Sequence, residues 1–232
     1  MKNIHHIAMT AAEISAAAVL PPGLGWMACH FAPGNPGLSN LPRQLPPDSL
    51  LILDDSNPPA GHDPAVILAQ LICLTKQLSL SGVLLDFQRP DDPETRVLTE
   101  LLVKYLPCPV CVSELYARPL DAPVFLPPPP LCSMVDTYLQ PWQGREIWME
   151  LAPEAEQVTV TEQGAEVLPL SPFPDTELPF FCPETCCRYS IRVLEDWVSF
   201  TLCRQESMLP KLQEAAADKG VSHFVSLYHP VQ

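Results

Sequence analysis

Apolar positions along this chain gather into short runs, and amphipathic stretches or proline-rich loops separate them. Eight runs stand out, at residues 26–32, 49–55, 82–88, 109–115, 122–126, 145–152, 197–204 and 222–229. Several carry β-branched or aromatic residues, and most end in a polar residue or meet a proline, as buried parallel strands do. Between some of them lie helix signals. Asp63 is placed to cap a helix over 64–78 that has Pro64 at its first position, and Asp92-Pro93-Glu94 opens another that runs to about Tyr105. A shorter helix is expected over 132–139. A last one over 205–219 should stop at Gly220.

Strand and helix in alternation predict a parallel sheet with helices outside it. Eight strands make the leading expectation a small, irregular (β/α)8 barrel of the α/β class, one domain over residues 1–232, with an open doubly wound sheet as the competing arrangement. Two segments break the rhythm. Residues 33–47 carry turn residues in place of a helix pattern and read as a loop. Gln157–Thr161 alternates strictly, Gln163-Gly164 turns, and 165–168 returns, which is a β-hairpin inserted after the sixth strand of this count. Period-two alternation sends Leu84, Asp86 and Gln88 to one side of their strand and Val83, Leu85 and Phe87 to the helix side.

In such a barrel the chemistry collects at the carboxyl ends of the strands. Those ends read His30, Asp54 and Asp55, Asp86 and Gln88, Glu114, Glu150, Arg204, and Tyr228 with His229. Gathered around one concave mouth, carboxylates divide acid and base roles when their surroundings separate their pKa values. A separation of about 5–10 Å between two of them favours glycoside hydrolysis. The candidates for catalysis are Asp86, Glu114, Glu150 and Asp54. The candidates for ligand binding are Asp86, Gln88, Glu114, Glu150, His30 and Tyr228.

The stretch from Ser81 to Pro90 reads Ser-Gly-Val-Leu-Leu-Asp-Phe-Gln-Arg-Pro. It resembles the signature strand of the chitinase-like (family eighteen) glycoside hydrolases, Asp-Gly-x-Asp-x-Asp-x-Glu. Gly82 and Asp86 match. Ser81 and Leu84 replace the first two acids, and Gln88 stands where the family has its catalytic Glu. The resemblance implies a barrel fold and an Asp86 able to hold an acetamido group. An amide cannot protonate a leaving group, so the family's reaction would lose a general acid/base contribution of about 10²–10⁴-fold. The platform Trp that the family's last strand usually brings has no counterpart in 223–228, and Trp148-Met149-Glu150 offers only a carboxylate where the family has Met-x-Tyr-Asp. The resemblance thus implies a degenerate glycosidase scaffold that binds a saccharide or other polar ligand without cleaving it. Two alternatives stand beside it: a hydrolase that uses other strand-end carboxylates such as Asp54 and Glu150, or a non-catalytic structural or partner-binding protein whose mouth is sealed by proline-rich loops.

Composition narrows the partners. The 232 residues hold 27 acidic and 13 basic side chains, for a net charge of -14, and such a surface repels nucleic acid and anionic lipid. Residues 8–20 are Ala-rich, but Glu13 interrupts them and no cleavage motif follows, so neither a signal peptide nor a membrane span is expected. Nine cysteines, an odd number with several in apolar runs, read as free thiols in a cytoplasmic setting. Cys108-Pro-Val-Cys111 and the later Cys182, Cys186 and Cys187 lack zinc-knuckle context, and no complete dinucleotide fingerprint or G-x-S-x-G occurs, so no metal or cofactor is expected. The Pro127 to Pro130 run reads as a rigid loop, and His5-His6 as a flexible or surface pair.

Overall fold

A computed structural model describes residues 3–57, 61–90, 92–174 and 178–228. The chain divides into two compact units, one made of 1–126, 144–150 and 221–232, the other of 127–143 and 151–220.

The first unit begins with β1 (Ile4–Met9), α1 (Ala11–Ala16) and β2 (Leu24–Trp26). A short antiparallel ribbon follows, β3 (His30–Phe31) with β4 (Leu38–Ser39). Then come β5 (Ser49–Asp54), α2 (Pro64–Gln77), β6 (Leu80–Asp86), α3 (Pro93–Tyr105), β7 (Val110–Ser113), α4 (Glu114–Ala117) and β8 (Val124–Leu126). After the strands and helices of the second unit are set aside, β9 (Ile147–Leu151) and β15 (Val221–Leu227) complete a closed eight-stranded barrel in the order β1, β2, β5, β6, β7, β8, β9, β15. The strand pairs run parallel, with Leu50 to Asp54 matched against Gly82 to Asp86.

The helices start where the sequence says they should. Asp63 accepts the Ala65 N–H at 2.9 Å and Asp92 accepts the Glu94 N–H at 3.0 Å, each with a proline in the first turn. Ile67, Leu71 and Leu74 on α2, and Leu98 and Leu102 on α3, form the buried stripes. Glu13 closes a capping box with Thr10 at the start of α1. Among the described residues no helix is long and apolar enough to cross a membrane.

Side chains fill the barrel. Ala8, Leu50, Ile52, Leu84, Cys111, Phe125, Trp148 and Val225 make one buried cluster, so the expected inward direction of Leu84 holds. Two glycines allow close approaches within it. A Cβ on Gly82 would lie 2.9 Å from the Pro109 carbonyl and 3.3 Å from Trp148, and one on Gly25 would lie 3.0 Å from both Ala8 Cα and Ile52 Cδ1. Gly82 thus has a packing reason of its own.

Three expectations about strands are corrected. Ile4–Met9 is a barrel strand, so His5-His6 is not a surface pair: His6 is fully buried. The strand expected over 26–32 splits into β2 and β3, because the barrel strand ends at Trp26 and the chain turns into the ribbon. The strand expected over 197–204 belongs to the second unit. The hairpin follows the Ile147–Leu151 strand as expected, and that strand is the seventh of the barrel once β1 is counted.

The second unit is built on a five-stranded antiparallel sheet of β10 (Glu154–Thr161), β11 (Gly164–Pro169), β12 (Phe180–Cys182), β13 (Cys187–Val193) and β14 (Trp197–Arg204), in the order β11, β10, β14, β13, β12. It also holds α5 (Val135–Leu139), shorter than the expected helix over 132–139, and α6 (Leu209–Ala217). Leu131, Cys187 and Leu202 pack together with Val158, Tyr189 and Phe200; Ala155, Leu178 and Cys203 pack with Leu170. Arg204, fully buried, donates to the Pro129 carbonyl at 3.0 Å, the Thr185 carbonyl at 2.9 Å and the Glu154 carboxylate at 2.9 Å. One guanidinium thereby ties the proline run, the turn before β13 and the start of β10. Arg204, expected at a barrel strand end, is instead a structural hub of this unit.

Candidate functional site

Parallel register sets the core of the site. Asp54 ends β5, Asp86 ends β6, and the two are direct register partners. Neighbouring strands lie about 4.8 Å apart, so two carboxyl groups are held side by side at the carboxyl end of the barrel. The Ser56 N–H donates to Asp54 Oδ1 at 2.8 Å, and the Ser56 hydroxyl donates to the same oxygen. Gln88 Nε2 donates to Asp86 Oδ1.

The loop carrying Gln88 is fixed from three directions. Asp55, buried, accepts the Gln88 N–H at 3.0 Å and the Arg89 N–H at 2.8 Å. Ser113, buried at the end of β7, donates to the Phe87 carbonyl at 2.6 Å. The Tyr116 hydroxyl on α4 donates to the Arg89 carbonyl, and the Arg89 guanidinium donates to the Ser56 carbonyl at 2.9 Å. Ser113 and Tyr116 had no signal in the sequence. Their partners are backbone carbonyls, and only the three-dimensional arrangement shows which ones.

Electrostatics join a third carboxylate to the pair. Burial pushes the Asp86 carboxyl above its ordinary range; the Gln88 amide pulls it part of the way back, and the charges of Asp54 and Asp55 add to the rise. Glu150 lies on β9 and is also raised, first by burial and then by the charge of Asp86. Asp86 is therefore the common partner of Asp54, Gln88 and Glu150. Glu114 is half-buried in the first turn of α4, past the end of β7 rather than on it. Tyr228 follows β15 directly and gives its N–H to the Ala8 carbonyl at 2.9 Å. His30 sits on the β3–β4 ribbon with Nδ1 3.1 Å from the Ala28 carbonyl, so it does not end a barrel strand. His229 lies outside the described residues. Trp142 is buried, so its indole offers no open face for a sugar ring to stack on.

Chemically the group is a set of acids with one neutral amide among them. Carboxyl groups raised by burial keep their protons to higher pH than free ones and so serve as proton donors. Gln88 serves as a hydrogen-bond donor and acceptor only. Among the described residues no group of three or more His, Cys, Asp and Glu side chains has the geometry to hold a metal ion.

The fold has a counterpart among solved structures. The spore cortex-lytic enzyme SleL of Bacillus cereus superposes with a TM-score of 0.55 over 97% of this chain and 70% of that one, at 9% identity. The chain shares that fold. SleL of Bacillus megaterium (TM-score 0.48, 11% identity, 97% and 70% covered) and the C-terminal domain of a putative chitinase from Desulfitobacterium hafniense (0.43, 12%, 77% and 72%) also match. No protein-family model matches the sequence, and neither does any curated protein.

Proposed function

We propose that this chain is a glycoside-hydrolase-like barrel that binds a saccharide or related polar ligand at the carboxyl ends of its strands without chitinase-type turnover. The observation that carries the reading is the Gln88–Asp86 hydrogen bond. At the end of the signature-like strand an amide replaces the expected acid, and its N–H is committed to the neighbouring carboxylate. Asp86 and Gln88 hydrogen-bond the ligand, with Glu150 and Glu114 as further polar contacts. The fold shared with a spore cortex-lytic enzyme supports a carbohydrate as the ligand class.

The test is calorimetric titration with N-acetylglucosamine oligomers alongside a hydrolysis assay. Binding that Asp86→Ala weakens at least tenfold, with no product formed by the natural chain, is the expected result. Gln88→Glu is the complementary variant, and weak turnover appearing only there supports the reading further. Neither binding nor turnover by any variant overturns it.

The raised carboxyl of Glu150 favours one second reading, a hydrolase in which Glu150 is the proton donor. Turnover by the natural sequence that Glu150→Gln abolishes selects this reading over the first.

A further inference from the structure

The β12–β13 hairpin of the second unit carries thiols outside the proposed site. Cys182 and Cys187 are its last register pair, joined by the four-residue turn 183–186. Directly opposed residues of an antiparallel pair have Cα atoms about 4.5–5.5 Å apart. A disulfide spans Cα separations of about 4.4–6.8 Å. Both side chains also line the same groove, about 340 Å³ in volume and largely apolar, with Cys132 on its wall.

All of these cysteines are free thiols. Cys182 is half-buried, with its thiol 3.3 Å from the Glu184 carboxylate. Cys187 is buried between the Thr185 hydroxyl at 2.9 Å and the Leu131 carbonyl at 3.4 Å. Cys186 holds a left-handed backbone (φ 52°), turns its thiol to the Pro183 carbonyl at 3.4 Å and does not line the groove. The register therefore selects one partner for Cys182 out of two adjacent cysteines.

We infer that Cys182 and Cys187 are a redox pair that a small-molecule disulfide such as oxidised glutathione converts to a cross-strand disulfide. Cys182 is the more accessible thiol and reacts first. It loses its proton to solvent, and its thiolate attacks one sulfur of the oxidant, breaking that S–S bond and releasing one thiolate, which is protonated. The product is a mixed disulfide on Cys182. Cys187 then loses its proton and attacks the Cys182 sulfur, and the second small thiol leaves. Two protein thiols are oxidised and one small disulfide is reduced to two thiols. Burial raises the Cys187 thiol, with the Thr185 hydrogen bond and then the Arg204 charge opposing in part, so the second step is the slow one and quickens as pH rises. The closed bridge pins the edge strand β12 to β13 and removes both thiols from the groove.

The full chain, equilibrated in glutathione buffers of graded poise, alkylated and mapped by mass spectrometry, tests this. The expected product is one dominant bridge, Cys182–Cys187, formed equally well by Cys186→Ser. Cys187→Ser should stop at a glutathione adduct on Cys182, and Cys182→Ser should leave Cys187 unmodified, with circular dichroism confirming that both variants fold. Oxidation in urea supplies the reference, where Cys186 and Cys187 compete for Cys182 by sequence proximity alone. A native product mixture equal to the one in urea overturns the inference. So does a dominant bridge through Cys132 or Cys186, or a stable adduct on Cys182 that never resolves.

Discussion

The two ends of the barrel bury ionisable groups of opposite kind. At the carboxyl end burial raises Asp86 and Glu150, which favours their neutral acid forms. In the amino-terminal half burial lowers His6 to about 4 and lowers His223 as well, which favours their neutral base forms. One cause, desolvation, moves both sets toward neutrality. The packing differs more than the charge. His223 stacks on Trp148 with ring centroids 4.2 Å apart, and His6 lies parallel to His223 at 6.1 Å. Glu146 accepts the Trp148 Nε1–H at 2.9 Å and faces His223 at 3.5 Å. Aromatic rings fill the amino half, whereas the carboxyl end is made of short acids and an amide held by loop hydrogen bonds. In barrels of this kind stability gathers at one face and ligand chemistry at the other, and the proposed function assumes the same division here.

If that division is right, the largest effect comes from removing the ring at the centre of the packed half. Trp148→Ala should cost about 3–5 kcal/mol, because it deletes a fully buried side chain of the interior cluster and leaves a cavity. Gly82→Ala, whose Cβ meets the Pro109 carbonyl and the same indole, should cost about 1–3 kcal/mol by overpacking. Urea unfolding followed by fluorescence and circular dichroism measures both. A loss of similar size for Asp86→Ala would break the comparison, since the carboxyl end would then carry fold stability too.

The same contrast explains what the sequence disclosed. The barrel was legible because its central strands are apolar runs and its two long helices carry proline after an aspartate cap, so local chemistry and final structure agree at Asp63 and Asp92. β1 was missed because its inward positions include His6, and a histidine in an alternating strand reads as polar until its neighbours desolvate it. Trp197–Arg204 was assigned to the barrel because an isolated apolar run does not reveal whether its partners run parallel or antiparallel. At the site, Asp54, Asp86 and Gln88 were legible as polar residues at the end of apolar strands. Their support was not. Asp55 holding two backbone N–H groups, and Ser113 and Tyr116 holding carbonyls, are pairings between loops far apart in sequence. His30 failed as a strand-end residue because the strand stops four residues earlier.

Next in size is the acid response of the histidine half. A base whose folded pKa lies below its unfolded value binds fewer protons when folded, so its contribution to stability is complete above about 6.5 and is lost as pH falls toward about 4. For His6 the loss approaches about 3 kcal/mol at about 1.4 kcal/mol per pH unit. The hydrogen bond to the Gly23 carbonyl opposes the burial first; His223 and His5 push His6 further down, and Asp48 opposes them weakly. Urea midpoints measured across this window should fall steeply for the natural chain and more gently for His6→Gln. Equal slopes in the two proteins would remove the buried imidazole from the account.

The smallest effect has the opposite sign, and it sharpens the comparison most. Asp86 has a raised folded pKa, so ionising it costs stability; that cost is present above the folded value and vanishes below the unfolded one, about 3.9. Asp86→Asn keeps the shape and removes the charge. It should stabilise the protein at neutral pH by at most about 1 kcal/mol, since the Gln88 hydrogen bond already offsets part of the burial, and it should change little at pH 3. Glu150→Gln should act in the same direction for the same reason, with the added relief of its repulsion by Asp86. Falling pH therefore weakens the amino half and relaxes the carboxyl end at once. Chemical denaturation of the two variants at neutral and acid pH separates these contributions. If Asp86→Asn instead destabilises at neutral pH, the hydrogen bond from Gln88 outweighs burial. The carboxyl end is then organised around a fixed anion, a ligand site that favours cationic or strongly hydrogen-bond-donating groups over neutral sugars.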